Sequence, residues 1–411
     1  LASQLDRQRD HVRALAARVA EIATSERNAQ IQQRWRDVNA LRTPDRAPVW
    51  CRPVGAWREI LPDDALFCAD PWLRGLETQF RRVLIKHDIG DDSPVSPWFE
   101  VRAIFDVDPA NTWGVEVVHH DSGVEGGSWA REPPLETDAD FDRLQFPSFR
   151  YNRAETQHAL DRAHELLGDL LPVRLACGAP LTATLGTVAA DLRGMTPMLM
   201  DMAAEPARMH RLMSYLRDAV LGAMAQVKAT GLLTPNNTGP MTCSDPVGTP
   251  IDTSTGAERV GYEHMWVMAN SQEFDPVSPA MWRAFCLEYQ RPIIEQFGLS
   301  GYGCCENLTH KIDGVLSLSN LRIFVCSAWT DLAAVQAAVG KDYVIMWRQK
   351  ASDIVFAKDV ATLRRDLERG ARQLQGYHYQ IVLRELQTLA GHPRRLHEWT
   401  QAAIETAARY A

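Results

Sequence analysis

Apolar residues of the first segment, Leu5, Val12, Leu15, Val19 and Ile22, recur at heptad-like spacing between Arg, Asp and Glu. That period predicts an amphipathic helix, which either clasps a partner subunit in a homodimer or covers one end of the domain. Pro44 and Pro48 break the pattern. Beyond them, short apolar runs at residues 49–51, 173–177, 299–305, 321–326 and 343–346 alternate with helical stretches such as 281–295 and 333–339. Alternation of this kind is the mark of parallel strands joined by crossover helices. Residues 113–118, Trp-Gly-Val-Glu-Val-Val, alternate apolar and polar positions and predict an antiparallel hairpin inserted between residues 99 and 118. Clusters of Pro, Gly and Asp at 121–134 and 234–255 predict long loops. The expected architecture is an α/β barrel over residues 46–411 with an N-terminal helical extension over 1–45, its site at the C-terminal mouths of the strands.

The chain has 411 residues, 45% hydrophobic and 23% charged, with a net charge of −8. That composition excludes a disordered or low-complexity protein, and the sign argues against a chain that neutralises nucleic-acid phosphates. A small ligand is the expected partner. Apolar stretches are broken by Arg, Asp, Gln or Gly before the roughly 20 residues a membrane span needs. Eight cysteines, two of them adjacent, are too few and irregular for a disulfide framework, so reduced thiols of a cytoplasmic protein are expected. The sequence shows no Gly-rich phosphate loop, Gly-x-Ser-x-Gly elbow or His-Glu-x-x-His, which sets aside nucleotide hydrolysis, serine hydrolysis and zincin chemistry. Twelve tryptophans are present, and Trp57, Trp266 and Trp347 fall at predicted loops or strand ends. They suggest an aromatic-lined pocket, or simply fill volume.

Gly303-Cys304-Cys305-Glu306-Asn307 places two thiols and a carboxylate at a strand's end. Thiolates and a carboxylate suit zinc, which polarises a leaving heteroatom. Cys304 and Glu306 share one strand face, and Cys326, His310 or His264 would complete the ligand set. Without a metal, Glu306 is an acid whose pKa is raised by apolar surroundings. Asp91 and Asp92 are further candidate carboxylates, or a solvated acidic turn. Asn236, Gln272, Glu273, Trp347 and Arg348 stand at expected loops or strand exits and are candidates for substrate contact.

Several motifs agree in order. Pro48-Val49-Trp50 with Arg52, Gly55 and Glu59, then His87 to Asp92, and then Gly178-Ala179-Pro180-Leu181-Thr182 resemble the uroporphyrinogen decarboxylase superfamily. Asp191-Leu192-Arg193-Gly194, Gln272-Glu273, Ser278-Pro279, Tyr302 to Glu306 and Asn320-Leu321-Arg322 look most like its methyltransferase branch. The resemblance implies a (β/α)8 TIM-type barrel and an O-demethylase component. Such a component takes methyl from a small methylated substrate and passes it to cobalamin on a separate corrinoid protein. Where true decarboxylases of the superfamily carry an Arg-Gln-Ala-Gly-Arg loop, this chain has Arg52 to Arg58 with Trp57 inside it, favouring an aromatic or apolar substrate over a polyanion. Gly303 stands where related methyltransferases have a metal-binding histidine, Cys305 matches their ligating cysteine in place of Cys304, and no cysteine follows Cys326. Two alternatives stay open: a metal-independent decarboxylase using Asp91 or Asp92 with Arg52, and a barrel that binds a ligand and catalyses nothing.

Overall fold

The computed structural model describes residues 3–121, 123, 129–238 and 259–411. Its strands are β1 (Val49–Pro53), β2 (Phe99–Arg102), β3 (Phe105–Asp108), β4 (Val118–Asp121), β5 (Trp129–Glu132), β6 (Ser148–Tyr151), β7 (Val173–Ala176), β8 (Trp266–Ala269), β9 (Leu299–Tyr302), β10 (Leu321–Cys326), β11 (Val344–Gln349) and β12 (His378–Leu386). Six of them form one parallel sheet in the order β1-β12-β11-β10-β9-β8. Because the first strand pairs with the last, the sheet curls around its own inner face. Helices return the chain between successive strands, for example Leu332–Val339 and Val360–Gln373. The inner and outer faces are both covered, which is why most positions of these strands are buried.

The eight-stranded ladder expected from the alternation is not continuous among the described residues. β2 and β7 pair with each other in parallel, apart from the six. Side chains occupy the two open sheet edges instead. At the β1 edge, Val49 N donates to Asp92 Oδ2 at 2.7 Å and Cys51 N to Asp91 Oδ2 at 2.8 Å. At the β8 edge, the Asn236 amide accepts from Trp266 N and donates to Trp266 O, both at 2.8 Å. Each satisfies edge groups that a neighbouring strand would otherwise pair.

The hairpin expected between residues 99 and 118 is replaced by two other antiparallel pairs, β3 with β6 and β4 with β5. Of the alternating run at 113–118 only Val118 lies in a strand. Residues 113–117 form a loop that turns Val115 into the core and lays Trp113 edge-on against Tyr215 at 6.2 Å. Much of the loops expected at 121–134 and 234–255 lies outside the described residues.

The N-terminal segment is two helices. α1 (Gln4–Ala23) is capped by Ser3 and buries Val12, Leu15, Ala16 and Val19 against Leu73, Leu76 and Phe80 of the helix Pro71–Ile89. Of the apolar positions that suggested a partner subunit, Val12, Leu15 and Val19 are thus covered within the chain, whereas Leu5 is exposed. α2 (Glu26–Asn39) sends Ile31, Trp35 and Val38 into a cluster with Trp50, Trp266, Met268, Ile323, Val325, Val344, Met346 and Val382. These are inward residues of the sheet, several at strand starts, so α2 plugs the end opposite the mouth. Among the described residues, no helix is long and apolar enough to cross a membrane.

Candidate active site

Period-two alternation sorts the residues at the mouth. On β11, Val344 and Met346 face inward, and so does Arg348 one step further, while Trp347 faces out. The Trp347 ring fills the space over Gly370, where a Cβ would come within 2.1 Å of it. Trp347 therefore packs against an outer helix and does not line the mouth. On β12, Val382 faces inward and Arg384 follows it. Opposite them the register slips: Cys51 pairs with Leu383 but Pro53 with Leu386, so β12 carries one extra residue. Such a bulge re-aims side chains, and here Glu385 adopts φ 63, a left-handed conformation uncommon outside glycine. On β9 the inward positions are Gly301 and Gly303. Gly303 has φ +115, and a Cβ there would lie 2.9 Å from Val325 Cβ. The chain turns at Gly303 and carries Cys304, Cys305 and Glu306 across the mouth.

Glu306 is 2% exposed. Its Oε1 accepts from Ser271 N at 2.8 Å and Ser271 Oγ at 3.3 Å, and its Oε2 accepts from Cys304 N at 2.8 Å. Burial pushes this carboxyl up from its ordinary value, and the amide donors pull it part of the way back. The carboxylate joins the loop after β8 to the loop after β9 and fixes the Cys304 backbone.

The Cys304 sulfur meets three donors. Cys305 Sγ is 3.6 Å away, Arg384 Nη1 3.4 Å and Arg348 Nη1 3.7 Å. Arg348 Nη1 also donates to Cys304 O at 2.8 Å and to Glu385 Oε1 at 2.9 Å, and Cys305 Sγ donates to the same Glu385 oxygen at 3.7 Å. Donation from Cys305 and the two guanidinium charges hold the Cys304 thiol well below its usual range, against the opposing effect of burial. Cys305 moves the opposite way, because its neighbour carries the negative charge. Burial pushes Glu385 up despite Arg348 and Arg384. The result is one sulfur facing two guanidinium groups, with a second sulfur beside it.

The expected zinc ligands do not converge. Cys326 turns its thiol to Ser327 O and Thr330 O, and burial raises it to about 12. Glu306 gives both oxygens to amides, His264 Nδ1 accepts from Gly261 N at 3.0 Å, and His310 is exposed. Among the described residues no group of three His, Cys, Asp or Glu is arranged to hold a metal. Two guanidinium groups stand against the Cys304 sulfur where a cation would bind it. Among the described residues the donor set therefore does not fit zinc.

Other expected residues serve elsewhere. Asp92 is ion-paired with Arg34 at 2.7 Å and Arg46 at 2.6 Å, and Asp91 with the buried Lys86. With β1 amides as further donors, both brace the sheet edge. Asn236 braces the β8 edge, and Trp266 is buried against the α2 plug. Gln272 and Glu273 lie on the 3-10 turn Gln272–Phe274 that follows Ser271, with Glu273 accepting from Thr187 Oγ1 at 2.7 Å. Trp57 lies under the Arg82 guanidinium, 5.0 Å from the ring centroid. Arg52 stands on β1 opposite the bulge. Arg384 and Glu385 were not expected. The alternation of Gln380, Val382 and Arg384 would have revealed the arginine, whereas only the register slip reveals Glu385.

No protein-family model matches this chain, and no curated protein matches it. Among solved structures it is similar to a methyltransferase from Methanosarcina mazei, at 12% identity and a TM-score of 0.51. The match covers 91% of this chain and 98% of that one. At that identity the likeness is one of fold.

Proposed function

We propose that this chain is a methyltransferase component that demethylates a small methylated substrate, a methoxylated aromatic or other largely apolar compound. The methyl acceptor is a corrinoid on a separate protein docked over the mouth, in the cytoplasm. In this reading β1, β2 and β7 to β12 are the eight strands of a TIM-type barrel whose two seams are closed by Asp91, Asp92 and Asn236. The whole-chain likeness to a methyltransferase supports it. The observation that carries it is the pair of arginines at the mouth. Demethylation leaves an anion on the heteroatom, and preorganised cations in a site of low dielectric are the strongest general means of stabilising such charge. Arg348 and Arg384 supply it.

Glu306 acts in this scheme as a positioning residue. A decarboxylase based on Asp91 or Asp92 finds less support, because both carboxylates are taken up by cations and β1 amides. The test is incubation of the purified chain with a panel of methoxylated aromatics, with and without a reduced corrinoid protein. Demethylated product should accumulate only when the acceptor is present. Removing the Arg384 cation (Arg384→Gln) should lower kcat/KM by about 100-fold or more, the cost of losing one preorganised donor. Steady turnover in buffer alone, or release of carbon dioxide, would overturn the proposal.

A further inference from the structure

The two arginines converge on a sulfur rather than on open space. Arg384 Nη1 and Arg348 Nη1 lie 3.4 and 3.7 Å from Cys304 Sγ, and Glu306 fixes the Cys304 amide. Among the described residues, the charged or titratable groups around this sulfur are Cys305 and Glu306 from its own loop, Arg348 from β11, and Arg384 and Glu385 from the β12 bulge. Protein cations thus occupy the place of a metal. Cys304 retains 8% exposure at the mouth, and Cys305 beside it is half-buried.

We infer that Cys304 is the covalent alkyl acceptor of this site, taking an electrophilic methyl group onto its sulfur without a metal. The inference rests on the methyl-transfer reading and deepens it. In the step, a sulfur lone pair forms the S–C bond while the bond from the methyl carbon to the substrate heteroatom breaks. The electron pair of that broken bond leaves on the heteroatom. Negative charge passes from sulfur to leaving group, none is created, and no proton moves. Once the sulfur is a neutral thioether, Arg348 and Arg384 face the new anion. In the return step the acceptor's nucleophile takes the methyl carbon, and the S–C electron pair goes back to Cys304 opposite the same arginines. Cys305 keeps its single proton between Cys304 Sγ and Glu385 Oε1 and does not compete as nucleophile.

The experiment is methylation of the full chain by iodomethane, followed by intact-mass and peptide mass spectrometry. It is run from about pH 6 to about pH 8, with and without a chelator. An ordinary thiol of pKa about 8.5 reacts roughly tenfold faster per pH unit over that range. Cys304 should take one methyl group at a nearly constant rate, unaffected by the chelator, while the buried thiols Cys51, Cys68, Cys177, Cys286 and Cys326 lag. Arg384→Gln should steepen the profile toward that slope and Arg384→Lys should keep it flat. Should a variant fail to fold, the wild-type profile decides alone. A wild-type slope of tenfold per unit, an adduct on Cys305, or a rate abolished by chelation would each overturn the inference. Methyl transfer from a methoxylated substrate to the corrinoid protein at undiminished rate in Cys304→Ser would overturn the covalent step and leave the proposed function standing. Selective methylation of Cys304 with no substrate feeding the acceptor would support the nucleophile and defeat the proposed function.

Discussion

Glu306 gives both carboxylate oxygens to backbone amides, Ser271 N on one side and Cys304 N on the other. A glutamine in its place presents one oxygen and one amino group, so one of those buried N–H donors would face another donor. An unsatisfied buried donor costs about 1–3 kcal/mol. Glu306→Gln should therefore lower the unfolding free energy read from urea titration by that amount and slow methylation of Cys304 by releasing its loop. A stable variant with unchanged Cys304 reactivity would show that Glu306 does not position the sulfur. At this scale the sequence was partly legible. Cys304, Cys305, Glu306 and Arg348 were all visible as polar residues at strand exits. Their partners were not: Arg384 stands in a strand the apolar runs did not reveal, and Glu385 faces the site only because of the bulge in β12. Asp91, Asp92 and Asn236 looked equally chemical, yet a carboxylate or amide bonded to edge-strand amides leaves the same trace in sequence as one that meets substrate.

Short side-chain braces also join elements, and one of them ties stability to pH. Glu77, in the helix Pro71–Ile89, accepts from Phe67 N at 3.0 Å, Cys68 N at 2.8 Å and lies 3.2 Å from His11 Nε2 of α1. Burial works against its charged form, but these donors more than compensate and hold the carboxyl below its ordinary value. A lowered folded-state pKa means the contribution is complete above the unfolded value of about 4.3 and is lost as pH falls through the folded one. Glu77→Gln should accordingly flatten the dependence of the urea midpoint on pH below about pH 4.3. A slope equal to wild type there would remove Glu77 as a source of acid sensitivity. Among elements, β9, β10 and β11 were legible from short runs rich in apolar residues. β12 escaped because Gln380 and Arg384 interrupt its inner face, and β8 because Trp266 was read as a contact residue. Gly303 shows the limit of motif transfer. A histidine there would need a left-handed backbone and a Cβ 2.9 Å from Val325 Cβ, so this strand exit has no room for the metal-binding residue of the relatives it resembles.

On the scale of the whole molecule, the division at residue 45 expected from Pro44 and Pro48 separates stretches that pack as one body. α2 delivers Trp35, buried completely, to the inner face of the sheet, and Arg34 to the carboxylate of Asp92 at 2.7 Å. Asn39 accepts from Gln380 Nε2 at 2.7 Å and, through its carbonyl, from Arg322 Nη1 at 2.6 Å, tying the end of α2 to β12 and β10. α1 adds the contact of Gln8 Oε1 with Ala69 N and Asp70 N and the ion pair of Arg13 with Asp169. Without residues 1–45 the inner ends of the strands face water and Asp92 loses one of its two arginines. Breaking a buried charge pair by removing one partner costs about 3–5 kcal/mol, and exposing the cluster around Trp35 adds a loss of similar size. Together these approach the whole stability of a typical domain, about 5–15 kcal/mol. A chain of residues 46–411 should therefore lose the cooperative urea transition of the longer chain and expose tryptophan to fluorescence quenchers throughout. A sharp transition at the same midpoint would show that the sheet closes its lower end unaided, and that the N-terminal helices are an appendage.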